Sequence, residues 1–131
     1  MSDQVSGNVF PLKDYLGFDL LEEEPGRVVA TMEVTERHLS PNGTVHGGVL
    51  FTLVDTAMGK ATTGVLAEGR TCVSIELSAR YLRSVGSGRL VAEVMVLRAG
   101  RRVVHLEGRV RCEGDDRPVA VMTGSFAVID P

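Results

Sequence analysis

The spacing of apolar positions changes period several times along the chain, and each change marks an element. Leu12, Tyr15, Leu16 and Phe18 recur at helical spacing between Phe10 and Phe18, which predicts a short helix with Pro11 in its first turn. Leu20 and Leu21 predict a short strand. Glu22 to Arg27 predicts a turn, because Pro25 fixes one φ beside Gly26, which is free to take a positive one. Val28, Ala30, Met32 and Val34 then alternate with Val29, Thr31, Glu33 and Thr35, the pattern of a half-buried strand. Past the turn chemistry of Ser40-Pro41-Asn42-Gly43 the period lengthens. Leu50, Leu53, Val54, Ala57 and Ala61 share one side of a helix that starts near Gly48 and ends near Thr63-Gly64, where glycine is the favoured terminator. The opposite side is a row of small or polar residues: Gly48, Thr52, Asp55, Gly59 and Thr62.

Four longer strands follow. Thr71 to Leu82 sets Val73, Ile75, Leu77, Ala79 and Tyr81 on one face against Cys72, Ser74, Glu76, Ser78 and Arg80. Leu90 to Arg98, Val103 to Cys112 and Val119 to Ile129 complete the set. Turns at Val85–Gly88, Ala99–Arg101 and Glu113–Asp116 predict that consecutive strands pair as an antiparallel meander. The sum is an α+β fold in which a curved antiparallel sheet of five to six strands wraps one long central helix, as a single domain over residues 1–131. One helix leaves a sheet edge and part of its own surface bare, so dimerisation through both is the expected remedy.

Composition narrows the function classes. With 131 residues, 44% apolar and 24% charged, the chain can bury a core without metal or disulfide support, and no apolar run approaches bilayer length. A net charge of -3 argues against nucleic acid as a partner. Met1 to Val9 lacks the basic-then-apolar order of a secretory leader, so a cytoplasmic location is the expectation. Cys72 and Cys112 are isolated and read as packed, reduced thiols. His38 and His105 have no acidic or cysteine partner at ligand spacing, so no metal and no cofactor is assigned. Lys13 and Lys60 are the only lysines; arginine supplies the rest of the positive charge.

The candidate chemistry lies in His46-Gly47-Gly48 and the helix it opens. A helix start gathers unpaired N–H groups and the positive end of the helix dipole, which suits a developing oxyanion. Taken singly, Asp55 reads as a solvated carboxylate, His46 as a helix cap and Ser74 as a hydrogen-bonded strand residue. The joint spacing of His46, Gly47 and Gly48 to Asp55 lifts these four. Gly48 and Asp55 lie within about 20° around the helix but roughly 10 Å apart along it, too far for one short carboxylate to meet a carbonyl held at the helix start. The spacing therefore predicts a shared site, with Asp55 from one subunit and His46 and Gly47 from the other. Arg80, Arg83, Arg101 and Arg102 are candidates for phosphate contacts at strand ends, alongside the plainer reading of charged turns.

Ser40-Pro41-Asn42-Gly43-Thr44-Val45-His46-Gly47-Gly48, the aspartate nine positions past the histidine, and Cys72-Val73-Ser74-Ile75-Glu76 resemble the hotdog-fold acyl-CoA thioesterases, in their PaaI-like branch. The similarity runs from about Leu16 to Phe126. It implies a hydrolase of aryl- or medium-chain acyl-CoA, with Asp55 as general base or nucleophile, His46 and the Gly47 N–H polarising the thioester carbonyl, and Ser74 holding the reacting water or Asp55. The family usually carries asparagine six residues before the histidine; here that place is Ser40, and Asn42 stands four before. Ser40, Asn42, Gly48, Phe51, Arg83 and Arg101 are the expected substrate-binding residues. Leu50, Phe51, Val54 and Met58 are the expected lining of the acyl pocket. The resemblance also implies a homodimer with shared sites, assembled as a tetramer. Two further readings stay open: a hotdog protein that binds acyl-CoA without cleaving it, and a hotdog hydratase or dehydratase.

Overall fold

The computed structural model describes residues 9–131. The reading of Met1 to Val9 as lacking a leader therefore falls, except for Val9, outside the described residues. Element order is α1 (Pro11–Leu16), β1 (Phe18–Glu24), β2 (Arg27–Glu33), a 3-10 turn (Glu36–His38), α2 (Gly47–Thr63), β3 (Thr71–Tyr81), β4 (Arg89–Ala99), β5 (Val103–Cys112) and β6 (Pro118–Ile129). Six strands form one sheet in the order β1-β2-β4-β5-β6-β3, with antiparallel neighbours throughout. The sheet wraps α2, as the hotdog arrangement requires. No helix among the described residues is long and apolar enough to cross a membrane.

The core forms where the apolar stripe of α2 meets the concave face of the sheet. Leu50, Leu53, Val54, Ala57 and Ala61 are buried as their spacing predicts, against Val28, Ala30 and Met32 of β2 and Leu106 and Val110 of β5. Two glycines set how close the helix comes. A Cβ at Gly108 of β5 would stand 2.9 Å from Val94 and 3.1 Å from Val54, and one at Gly124 of β6 would stand 2.7 Å from the Met58 sulfur. Missing side chains at these two strand positions are the seats of Val54 and Met58.

Several expectations are corrected. β1 continues to Glu24, so the turn before β2 is only Pro25–Gly26, with Gly26 at φ 86 as required of it. The four long strands do not form a consecutive meander: β4, β5 and β6 do, but β3 pairs with β6, and the segment from Leu82 to Gly88 crosses to the far side of the sheet. That crossover is held by Val45 N–H donating to the Val85 carbonyl and Val34 N–H to the Gly88 carbonyl. The even alternation expected along β3 also breaks. A bulge between Ser74 and Glu76 shifts the register, leaving Val73 and Ile75 55% and 58% exposed while Cys72 packs on the core. Thr62, assigned to the polar side of α2, is buried, with its hydroxyl donating to the Met58 carbonyl. The end of α2 is as expected, at Thr63 with Gly64 as its cap in a right-handed conformation (φ -65, ψ -18), and the Glu22 carboxylate occupies the place of the missing Gly64 side chain.

The short helix α1 is docked through its carbonyls. Buried His38 accepts from the Thr35 N–H at Nδ1 (2.9 Å), which leaves the proton on Nε2 to donate to the Leu16 carbonyl (2.7 Å). Arg37 donates to the Tyr15 carbonyl at 2.7 Å and lies over the Tyr15 ring. His38→Ala leaves the part-buried Thr35 N–H and the buried Leu16 carbonyl without partners. It is expected to lower stability by about 1–3 kcal/mol, read as a lower urea midpoint with an unchanged slope.

Candidate functional site

The start of α2 is built by mutual constraint. His46 is the N-cap, and its Nδ1 accepts from the Gly48 N–H at 2.8 Å, which leaves Nε2 protonated and able to donate outward. The ring folds back so tightly that a Cβ at residue 48 would stand 2.9 Å from Nδ1, which is why Gly48 is a glycine. Tyr81, at the end of β3, donates from its hydroxyl to the Gly47 carbonyl at 2.9 Å, and its ring fills the space a Cβ at residue 47 would need. The Gly47–Gly48 peptide is therefore gripped at both ends, its oxygen by Tyr81 and its N–H by His46. The Gly47 N–H, in the first helical turn, has no intrahelical acceptor and remains a donor. Desolvation raises the Tyr81 pKa above its usual 10.0, so the hydroxyl stays protonated and donating at neutral pH.

Asp55 lies elsewhere. It lines a cleft of about 770 Å³ together with Ser74, Cys72, Thr56, Gly59 and Thr63, with Phe126, Leu20 and Phe10 as its apolar walls. Ser74 shares the face of the core-packed Cys72 by ordinary alternation, and the bulge that follows it puts this face on the same side as Leu77 and Ala79. The Oδ1 atom of Asp55 is buried and has no hydrogen-bond partner among the described residues. Burial raises the Asp55 pKa above the ordinary 3.8 through desolvation of the charged form. An unpartnered carboxylate oxygen with raised basicity is suited to take a proton from water.

The single chain thus brings Asp55 and Ser74 into one cleft and leaves His46, Gly47 and Gly48 outside it. The other expected site residues are scattered. Ser40 and Asn42 are bonded into their own loop: the Ser40 hydroxyl donates to Asn42 Oδ1 and to the Thr44 carbonyl, and the Thr44 hydroxyl also donates to Asn42. Phe51 is half-buried and does not line the cleft. Leu50, Val54 and Met58, expected to line an acyl pocket, are core residues, because the close approach of α2 to the sheet turns them inward. Arg83 follows β3 at the Tyr81 end, where its field adds to that of Arg117 in lowering the Asp115 pKa. Arg101 precedes β5 at the opposite end of the sheet, its carbonyl bound by Arg70. Of the remaining histidines, His38 is satisfied within the fold and His105 meets the Ser125 hydroxyl at 3.3 Å.

Sequence reasoning missed Tyr81, Phe10, Leu20 and Cys72 as site residues. Tyr81 is 34 residues from Gly47 and nothing local ties the two; the glycine pair, which demands something bulky nearby, is the one available signal.

Residues 42–119 match the thioesterase superfamily. The chain is 34% identical over 104 residues to the proofreading thioesterase EntH of Klebsiella pneumoniae, covering 75% of this chain and 76% of that protein. It is 27% identical over 90 residues to a 1,4-dihydroxy-2-naphthoyl-CoA hydrolase of Listeria monocytogenes, covering 69% and 73%. Among solved structures, a single-residue variant of the phenylacetic acid degradation protein PaaI of Thermus thermophilus superposes with a TM-score of 0.81 at 31% identity, covering 90% of this chain and 98% of that one.

The buried carboxylate has a stability consequence. Between pH 3.8 and its raised folded pKa, the folded state binds the Asp55 proton more tightly than the unfolded chain does, so stability falls as pH rises through that window. Asp55→Asn removes this penalty. The variant is expected to melt above wild type at pH 7, with the difference shrinking as the pH approaches 4, measured by thermal unfolding across that range.

Proposed function

We propose, starting from the fact that the chain belongs to the thioesterase superfamily, that it hydrolyses acyl-CoA thioesters to free acid and CoA at sites shared between two copies of the chain. The observation that carries this reading is the buried, unpartnered Asp55 oxygen in a cleft that His46 and Gly47 of the same chain do not reach. An antiparallel second copy of α2, packed along the row Gly48, Thr52, Asp55 and Gly59, would lay its own helix start against that carboxylate. Small residues in this row permit the close approach.

The thioester carbonyl then sits between the Nε2–H of His46 and the N–H of Gly47 from one copy and Asp55 from the other. Asp55 acts as general base, taking a proton from water as its oxygen attacks the carbonyl carbon, or attacks as a nucleophile; Ser74 positions the water or the carboxylate. The two donors hold the tetrahedral oxyanion, and its collapse breaks the C–S bond; on the base route the thiolate leaves as CoA and takes up the proton from Asp55, and on the nucleophile route it leaves an acyl–Asp55 anhydride that water hydrolyses to the acid and free Asp55, the thiolate taking the proton that this water releases. Tyr81 and the Nδ1 of His46 act through the peptide they grip, and are positioning groups.

An aryl or medium-chain acyl group is supported by the Phe10, Leu20 and Phe126 walls and by the naphthoyl-CoA and phenylacetic acid named for two similar proteins. Arg83 and Arg101, at opposite ends of the sheet, are assigned to CoA phosphates of different half-sites, with Ser40, Asn42, Gly48 and Phe51 bordering the substrate. The exposed edge of β3, with Val73 and Ile75, supports a homodimer, and a tetramer follows as a pair of dimers. One domain over residues 1–131 and a cytoplasmic location complete the proposal.

A thiol-reagent assay over aryl- and alkyl-CoA thioesters is expected to detect CoA release. Asp55→Asn is expected to lose about 10²–10⁴-fold in turnover; near-full activity would remove Asp55 from both roles. Mixed dimers of Asp55→Ala and His46→Ala chains are expected to regain activity that neither homodimer has, and failure to do so would overturn the shared site. Tyr81→Phe is expected to lower kcat by about three- to tenfold, with KM little changed.

A further inference from the structure

Lys13 on α1 and Lys60 on α2 both line the Asp55 cleft. They are the only lysines among the 14 basic residues of the chain, and no arginine lines that cleft. Among the described residues no ion pair includes either lysine. Lysine is a compact charge on a flexible stem, suited to follow a small anion, whereas arginine suits the fixed geometry of a phosphate. Apolar walls beside two ammonium groups fit a ligand with a hydrocarbon body and a charged end.

The location of that charged end follows from size. A cleft of about 770 Å³, if compact, is roughly 11 Å across, within the usual range of a small-molecule site. Lys60 is five residues past Asp55, about 7.5 Å further along the helix, and both lysines line the same cleft as Asp55. The pantetheine arm of CoA holds its first phosphate roughly 15 Å from the sulfur when extended. The anion within reach of the lysines is therefore on the acyl side. Asp14 also lines the cleft, and with Asp55 it offsets the two positive charges, so the cleft is not a general anion trap. A carboxylate is accepted only where it meets the ammonium groups.

We propose that Lys13 and Lys60 form a cationic subsite selecting acyl-CoA thioesters whose acyl group ends in a carboxylate. This rests on the reading of the Asp55 cleft as the acyl site. The test is calorimetric titration with CoA thioethers, which cannot be hydrolysed: S-hexyl-CoA, its counterpart with a terminal carboxylate, S-(5-carboxypentyl)-CoA, and free CoA. The proteins are wild type, Lys13→Met, Lys60→Met and the double variant, each checked for an unchanged melting temperature. The carboxylated thioether is expected to bind wild type about tenfold more tightly than S-hexyl-CoA. Each single variant should reduce that ratio and the double variant abolish it, with S-hexyl-CoA and CoA affinities unchanged. A wild-type ratio of one or below, or a ratio that survives the double variant, overturns the subsite. Equal weakening of all three ligands places the lysines on the CoA phosphates and overturns it too. A retained, lysine-dependent ratio with no CoA release from any thioester overturns hydrolysis and leaves the subsite standing, whereas failure of all three ligands to bind overturns both.

Discussion

The distance between α2 and the sheet governs the rest of the molecule. Gly108 and Gly124 leave room for Val54 and Met58 to sit almost on the strand backbones, so a single helix fills the concave face with no second layer behind it. Burying the apolar stripe so deeply leaves the opposite stripe outside, and that stripe carries Gly48, Thr52, Asp55 and Gly59 in place of bulky residues. Leu50, Val54 and Met58 are taken up by the sheet, so the cleft draws its apolar walls from Phe10 just before α1, Leu20 of β1 and Phe126 of β6, which also packs in the core.

Two kinds of polar group then lie on one helix with opposite requirements. A donor that polarises a carbonyl must be rigid and already aimed, and on the proposed function the His46 Nε2–H and the Gly47 N–H are kept so by the adjoining Gly47–Gly48 peptide, which Tyr81 and His46 hold from both sides. A base must be hard to protonate in water yet willing to accept a proton in the site. On the proposed function Asp55 meets this, its Oδ1 being buried without a hydrogen-bond partner among the described residues. Within one chain the two groups are separated along the helix, so Asp55 takes no hydrogen bond from its own helix start.

Much of this was readable from the residues. Clean alternation in β2 and the helical stripe of α2 each specify one face, and the structure buries those faces as expected. β3 misled because Val73 and Ile75 sit in phase with Leu77 and Ala79 in sequence, and only a bulge takes them out of phase in space. Strand order was beyond local reading, since a glycine turn tells how a chain reverses but not which strand it will meet. Asp55, His46 and Gly47 stood out through spacing along one helix. Tyr81, Cys72 and the pairing of Lys13 with Lys60 depend on contacts between distant segments, which spacing does not encode.

The anchoring of α1 has an evolutionary corollary. Arg37 and His38 hold it by the carbonyls of Tyr15 and Leu16, groups that every amino acid possesses. The helix can therefore exchange Lys13 and Asp14, its contributions to the cleft, while these two hydrogen bonds stay the same. On the proposed function, one wall of the acyl pocket is in effect a replaceable panel on a fixed frame, so acyl preference can drift, or be redesigned, without disturbing the helix and sheet around Asp55.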